Sequence, residues 1–313
     1  MSTTHRPPDA EGILRGDRRA LGRGLSRVEA MEDEALRLLD ALWKDTGRAR
    51  RIGITGPPGV GKSTLVAALI RGHRALGRSV AVLAVDPSSA FTGGALLGDR
   101  HRMGAEASDE KVFLRSFASR GSMGGLSRAA PFALDLLDAA GFDVVLVETA
   151  GVGQTELEVA STADSVAVVL SPESGDAVQA MKAGLLEIAD VLCVNKADRE
   201  GADGMVEALE SALDRAPAAA WRPPVVKTRA IEDATPLFEA LERHGAWLGE
   251  GDRLKARRRA GLEARLRVLV RGLLADRLLH GRDALLEERA KEAASKRRSL
   301  LDAARSTVEA ILP

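Results

Sequence analysis

One cysteine, Cys193, stands in 313 residues, so no disulfide can form within the chain. Its place in a short apolar run reads as a small buried core residue. The histidines (His5, His73, His101, His244, His280) are scattered, with no C-x-x-C or paired-histidine spacing to suggest a zinc-type cluster. Net charge is missing too, since 45 Lys plus Arg balance 45 Asp plus Glu. No overall field therefore draws the chain to nucleic acid or to an anionic membrane. The basic run Lys255-Ala256-Arg257-Arg258-Arg259 lies among acidic and apolar residues and reads as a solvated helix face. Apolar runs stop at strand length, far below the roughly 20 residues of a membrane-spanning helix. Residues 1–8 have no apolar core and read as a frayed tail, not a secretory signal. Repeats and low-complexity segments are absent. What remains is the class of soluble, cytoplasmic enzymes with one large or two modest domains.

What is present is a loop built for phosphate. Gly56-Pro57-Pro58-Gly59-Val60-Gly61-Lys62-Ser63-Thr64 fits G-x-x-x-x-G-K-[ST]. Residues 51–55 before it read as a buried strand, and residues 65–70 open a helix. That context separates the loop from a glycine-rich turn that only joins two elements. Glycines let the backbone wrap a phosphate so that successive N–H groups point at its oxygens. The helix N-terminus adds partial positive charge. Lys62 is placed to reach the β- and γ-phosphates, and the Ser63 hydroxyl to ligate Mg²⁺.

The base is addressed further along. Residues 191–194 form a strand-like run ending in Asn195-Lys196-Ala197-Asp198, an N-K-x-D pattern. A carboxylate at Asp198 accepts from guanine N1–H and the exocyclic amino group, whereas adenine would leave it unpaired. The Lys196 stem covers one face of the base, and the Asn195 amide ties the loop to the purine edge or to the phosphate loop. Residues 224–228 read as a last strand leading into Thr228-Arg229-Ala230, whose backbone is expected to reach the base oxygen. GTP and GDP are thus expected over adenine nucleotides.

Carboxylates lie between these motifs. Residues 143–147 form an apolar strand capped by Glu148, and Gly151 follows with an N–H for the γ-phosphate. A second strand, residues 80–85, ends in Asp86, and Asp99 sits in the glycine-rich segment 93–100. Alone, each would read as a helix cap or a solvated loop charge. Beside a phosphate loop, Ser63, Asp86, Asp99 and Glu148 become candidates for the Mg²⁺ shell and water positioning, with Lys62 as the catalytic cation.

The chain divides into an N-terminal tail and helical segment (1–47), a P-loop GTPase domain (48–248) and a C-terminal helical extension (249–313). In the first, Leu21, Leu25, Val28, Met31, Leu36 and Leu39 recur at helical spacing. In the second, strands precede Gly56, Asp86, Ser116, Glu148, Ser171, Asn195 and Thr228 and alternate with amphipathic helices. That pattern predicts an α/β fold, a mostly parallel sheet covered on both faces, with ligand outside the C-terminal strand ends. In the third, Leu262, Leu266, Leu269 and Leu273 make a heptad-like seam, expected to pack on the domain or on a second subunit.

Taken together, the motifs resemble the MeaB/ArgK-type GTPases, bacterial counterparts of the methylmalonic aciduria type A protein. The resemblance spans residues 16–248. It rests on the phosphate loop, Val85-Asp86-Pro87-Ser88-Ser89, Gly93-Gly94-Ala95-Leu96-Leu97-Gly98-Asp99-Arg100, Glu148-Thr149-Ala150-Gly151-Val152-Gly153-Gln154 and Asn195-Lys196-Ala197-Asp198. It implies a P-loop NTPase that hydrolyses GTP with Mg²⁺, a homodimer, and a cobalamin-dependent acyl-CoA mutase as the partner it chaperones. It also implies that Asp86, Asp99 and Glu148 surround the metal and the hydrolytic water. A third switch, Gly175-Asp176-Ala177-Val178-Gln179-Ala180-Met181-Lys182, would couple nucleotide state to the mutase through Asp176, Gln179 and Lys182. Two departures stand out: residues 228–234 lack the family's glycines, and tyrosine is absent. Without metal-binding Cys/His clusters the chain differs from the related nickel-delivering GTPases. No arginine finger is evident, which implies slow intrinsic turnover. Two other readings are a P-loop kinase linked to amino-acid transport and a regulatory GTP-binding module without hydrolysis.

Overall fold

Runs of valine, isoleucine and leucine too short for helices build the centre of the protein. The computed structural model describes residues 8–86, 108–118, 125–149, 162–174, 184–217, 219–295 and 297–311. Its sheet comprises β1 (Arg50–Thr55), β2 (Val80–Asp86), β3 (Val112–Ala118), β4 (Val144–Thr149), β5 (Ser165–Leu170), β6 (Val191–Val194) and β7 (Val225–Lys227). All pairs are parallel, in the order β3-β2-β4-β1-β5-β6-β7. Each strand stands where the sequence pattern puts it, except that β3 runs on past Ser116 to Ala118 and β4 past Glu148 to Thr149.

Alternation along each strand separates two packed layers. Ile52, Ile54, Val80, Val82, Leu146, Ala167 and Val169 face one side, where α4 (Lys62–Ala75) and α8 (Thr235–Gly249) pack. Ala81, Leu83, Val85, Val145 and Val147 face the other. There they meet α5 (Gly125–Ala139) and the N-terminal helices α1 (Pro8–Leu14), α2 (Arg18–Glu29) and α3 (Asp33–Leu42). Val166, Val168, Leu170, Leu192 and Val194 pack with α6 (Leu185–Ile188) and α7 (Ala202–Arg215). The N-terminal segment is therefore several helices rather than one period. Asp17 starts α2 by accepting from the amides of Arg19 and Ala20, and Met31, at φ 53°, breaks the chain before α3. The break shifts the phase, leaving Leu36 38% exposed while Leu21, Leu25, Val28 and Leu39 are buried.

The chain forms two compact units, Met1–Arg257 and Arg258–Pro313. The second contains α10 (Asp283–Ala294), α11 (Leu300–Ile311) and most of α9 (Arg253–Leu279), which begins in the first unit. Part of the leucine seam of α9 is exposed. Leu262, Leu266 and Leu273 are 42%, 60% and 62% exposed. Heptad spacing specifies an apolar stripe but not what covers it. The neighbouring basic run is also not solvated throughout, because Arg257 makes a bidentate pair with Asp190 at 2.8 and 2.6 Å. No described helix is long and apolar enough to cross a membrane.

Candidate functional site

Strand β1 lies between β4 and β5, and the chain runs from β1 to β2 on one side but from its neighbour β5 to β6 on the other. Such a reversal opens a crevice at the C-terminal strand ends. The phosphate loop leaves β1 into that crevice. At Gly56 the backbone has φ 137°, and a Cβ would sit 2.0 Å from Val169 O. At Gly61 φ is 94°, and a Cβ would lie 2.5 Å from Asn195 Nδ2. Only glycine lets the loop pass this close to β5 and to the base segment. Helix α4 then starts at Lys62 without a side-chain cap, so its first-turn N–H groups face the loop.

The Lys62 side chain is buried, and its ammonium donates to the carbonyls of Gly56 and Pro57, both at 2.7 Å. One turn of register brings the metal candidates together. Ile54 is opposite Glu148 in the β1–β4 ladder, and the Ser63 hydroxyl donates to Glu148 Oε1 at 2.6 Å. Beside them, the hydroxyls of Thr149 and Thr55 are 2.9 Å apart. Asp86 closes β2 next to β4, but its side chain lies outside the described residues, as do Asp99, Gly151, Asp176, Gln179 and Lys182. Among the described residues, no group of three or more His, Cys, Asp or Glu side chains gathers as a metal cluster.

The base segment follows β6. A cavity of about 280 Å³ is lined by Ala197, Asp198, Lys227, Thr228, Arg229 and Asp233. Asn195, 2% exposed, ties its walls to the phosphate loop. Its Nδ2 donates to Val60 O at 2.8 Å, while its Oδ1 accepts from Thr228 Oγ1 at 3.0 Å and from the Ala230 amide at 3.1 Å. Of the two roles open to this amide, the structure shows the contact with the phosphate loop. The Ala197 amide donates to Thr228 O at 3.0 Å, joining the two base loops directly. Arg229 N donates to Asp233 O, and Asp233 N donates back to Arg229 O, closing the turn without glycines. Asp198 stands at the cavity wall with its side chain 53% exposed and Arg199 Nε 3.6 Å away. Lys196 takes a left-handed backbone, φ 55°, and its ammonium reaches Glu173 at 2.9 Å. Behind the pocket, burial pushes the Cys193 thiol up to about 12, so it stays protonated against Thr228.

The cavity also includes Lys227 and Asp233, which the sequence reading did not single out. The Asp233 carboxylate accepts from the Thr235 amide at 2.9 Å, and that bond holds its pKa below the usual value. An aspartate two residues ahead of a helix-starting Thr-Pro is a readable turn signal. Glu173 carries no such signal, because β5 and β6 bring it beside Lys196 only through the fold.

The family model described as Methylmalonyl Co-A mutase-associated GTPase MeaB matches residues 19–283. The chain is 46% identical over 274 residues to a candidate GTPase of Pyrococcus abyssi, covering 86% of this chain and 85% of that one. It is 41% identical over 239 residues to GTPase ArgK of Escherichia coli, covering 71% of each. To the mitochondrial methylmalonic aciduria type A homolog of Mus musculus it is 32% identical over 253 residues, covering 74% and 60%. The crystal structure of an LAO/AO transport system kinase matches 99% of both chains with a TM-score of 0.75 at 27% identity.

Proposed function

Because this chain belongs to the MeaB family of methylmalonyl-CoA mutase-associated GTPases, we propose that it hydrolyses GTP to GDP and phosphate in the crevice above β1. The hydrolysis cycle gates cobalamin loading or protection of an acyl-CoA mutase. The observation that carries the reading is the bond from Asn195 Nδ2 to Val60 O, which locks the base segment to the phosphate loop. A nucleotide spanning both meets one rigid surface, so base identity and phosphate position are read together.

In this reading the loop amides, the N-terminus of α4 and Lys62 neutralise charge developing on the transferring phosphoryl group. Lys62 exchanges its bonds to Gly56 O and Pro57 O for phosphate oxygens, trading neutral partners for charged ones. The Ser63 hydroxyl and Glu148 carboxylate are the hard oxygen donors that Mg²⁺ takes, and they converge at 2.6 Å. They would hold the metal, with Asp86 and Asp99 completing its shell. Held there, Mg²⁺ would supply positive charge that offsets the charge of the phosphates. Asp176, Gln179 and Lys182 couple this site to the mutase, and the exposed leucines of α9 support a homodimer.

Phosphate release measured with Mg²⁺·GTP, with and without the cognate mutase, tests this reading. Lys62→Ala should lower turnover roughly 10²- to 10³-fold. Ser63→Ala should raise the Mg²⁺ concentration needed for activity. Lys182→Ala should reduce the mutase-stimulated increment by about 5- to 150-fold. If Lys62→Ala and Ser63→Ala both turn over like the parent, this loop is not the catalytic centre. A phosphorylated acceptor in place of free phosphate would instead favour the kinase activity named for the solved neighbour. Light scattering at the mass of one chain would remove the dimer.

A further inference from the structure

Strands β5 and β6 are parallel neighbours, with Leu170 opposite Val194. The Asn195 backbone N–H donates to Leu170 O at 2.8 Å, so the segments that continue the two strands leave the sheet side by side. On the β5 side, the short turn Pro172–Ser174 carries Glu173. Glu173 Oε2 accepts from Lys196 Nζ at 2.9 Å, and its Oε1 lies 3.5 Å from Arg199 Nε. One carboxylate is thus held between two cations of the base segment. The Lys196 bond is the largest cause keeping the Glu173 carboxyl below its ordinary pKa, so the carboxylate stays charged at neutral pH.

We propose that Glu173 is a positioning residue for base recognition, fixing the Lys196 side chain so that its aliphatic stem lies across one face of guanine. The inference rests on the GTP-binding reading and deepens it. An exposed ion pair of this kind adds little to folding stability. Lysine, however, carries four rotatable bonds, and an unanchored stem must be ordered when the base arrives. The left-handed backbone at Lys196, unusual for a residue with a Cβ, sets the direction of the stem, and Glu173 fixes its far end. Arg199 holds the carboxylate from its other side. Ordering the stem before binding removes that cost from the affinity.

The test is a double-mutant cycle read by calorimetric titration of Mg²⁺·GDP and Mg²⁺·IDP into the full chain. Glu173→Gln should weaken GDP binding by about three- to tenfold, the range of one lost anchoring contact. IDP should weaken by the same factor, because a face contact does not sense the exocyclic amino group. In a Lys196→Met background, where the stem remains but needs no carboxylate, Glu173→Gln should have almost no further effect. GDP binding by Glu173→Gln equal to the parent, or additive losses in the double variant, would overturn the proposal while leaving the GTP reading intact. A parent that binds no guanine nucleotide would overturn both.

Discussion

Asn195 uses both ends of its amide inside the protein, and that leaves base discrimination to its neighbour. With Nδ2 on Val60 O and Oδ1 shared by Thr228 and Ala230, Asn195 sets the geometry of the pocket. Asp198 stands at the cavity wall, and in the proposed reading it is the charged acceptor for guanine N1–H and the amino group. Asp198→Asn replaces one acceptor oxygen with a donor, so guanine affinity should fall by roughly ten- to a thousandfold, with xanthine nucleotides gained. Calorimetry with GDP and XDP decides this, and unchanged GDP binding would take Asp198 out of the site. At this scale the sequence was legible wherever chemistry fixes residue type and spacing together, as for Lys62, Ser63 and Asp198. It placed Lys227 in the last strand without giving it a role, and it was silent on Glu173, which reaches the base segment through strand register and a turn that no local pattern encodes.

Among the elements, the junction of α5 with the entry to β1 is held by one buried carboxylate. Asp138 is fully buried on α5 and accepts from the amides of Gly47, Arg48 and Ala49 at 2.8, 3.0 and 2.9 Å. It also accepts from Arg51 Nη2 at 2.9 Å, a guanidinium shared with Asp135 at the same distance. Burying these charges costs desolvation, so the pair is not a large net gain, but removing one partner strands the others. Asp138→Ala should therefore destabilise the protein by about 3–5 kcal/mol in urea unfolding. A loss below about 1 kcal/mol would mean that water replaces the carboxylate without cost. The strands that this junction feeds were legible because a parallel strand buried on both faces reads as an unbroken apolar run. The carboxylates of Asp135 and Asp138 were not, since on a sequence they look like the polar face of an amphipathic helix. Arg257 was misread for the same reason, as its partner Asp190 lies 67 residues away.

At the scale of the molecule, two buried histidines set how stability responds to acid. His73 is 1% exposed, with Arg78 Nη1 3.1 Å from its Nδ1, Phe238 against its ring, and Arg50 and Glu242 beside it. His244 is 0% exposed, with Ser165 Oγ at 2.9 Å, Asp190 at 3.4 Å, Trp221 and Trp247 packed on its ring, and Arg257 and Asp164 nearby. Burial is the largest cause in both and pushes each imidazole down from 6.5 to about 4, against the pull of Glu242 and Asp190. The folded state thus holds both rings neutral while the unfolded chain protonates them near 6.5, so between those values the unfolded state binds more protons. Stability is full above about 6.5, falls as pH drops toward 4, and loses no more from these groups below it, up to roughly 3 kcal/mol for each. The Glu242 carboxyl sits below its ordinary value beside Arg50 and Arg78, so it stays charged through the upper part of this window. Urea unfolding from pH 7 to pH 4.5 should therefore show a slope approaching about 1.4 kcal/mol per pH unit for each histidine. His73→Gln and His244→Gln should each remove one such increment, whatever they cost at pH 7. Both histidines lie away from the C-terminal strand ends, His244 against Ser165 at the start of β5, so acid acts on the scaffold beneath the crevice. A double variant with the same pH slope as the parent would show that both rings protonate freely in the folded protein, and the buried neutral pair would be wrong.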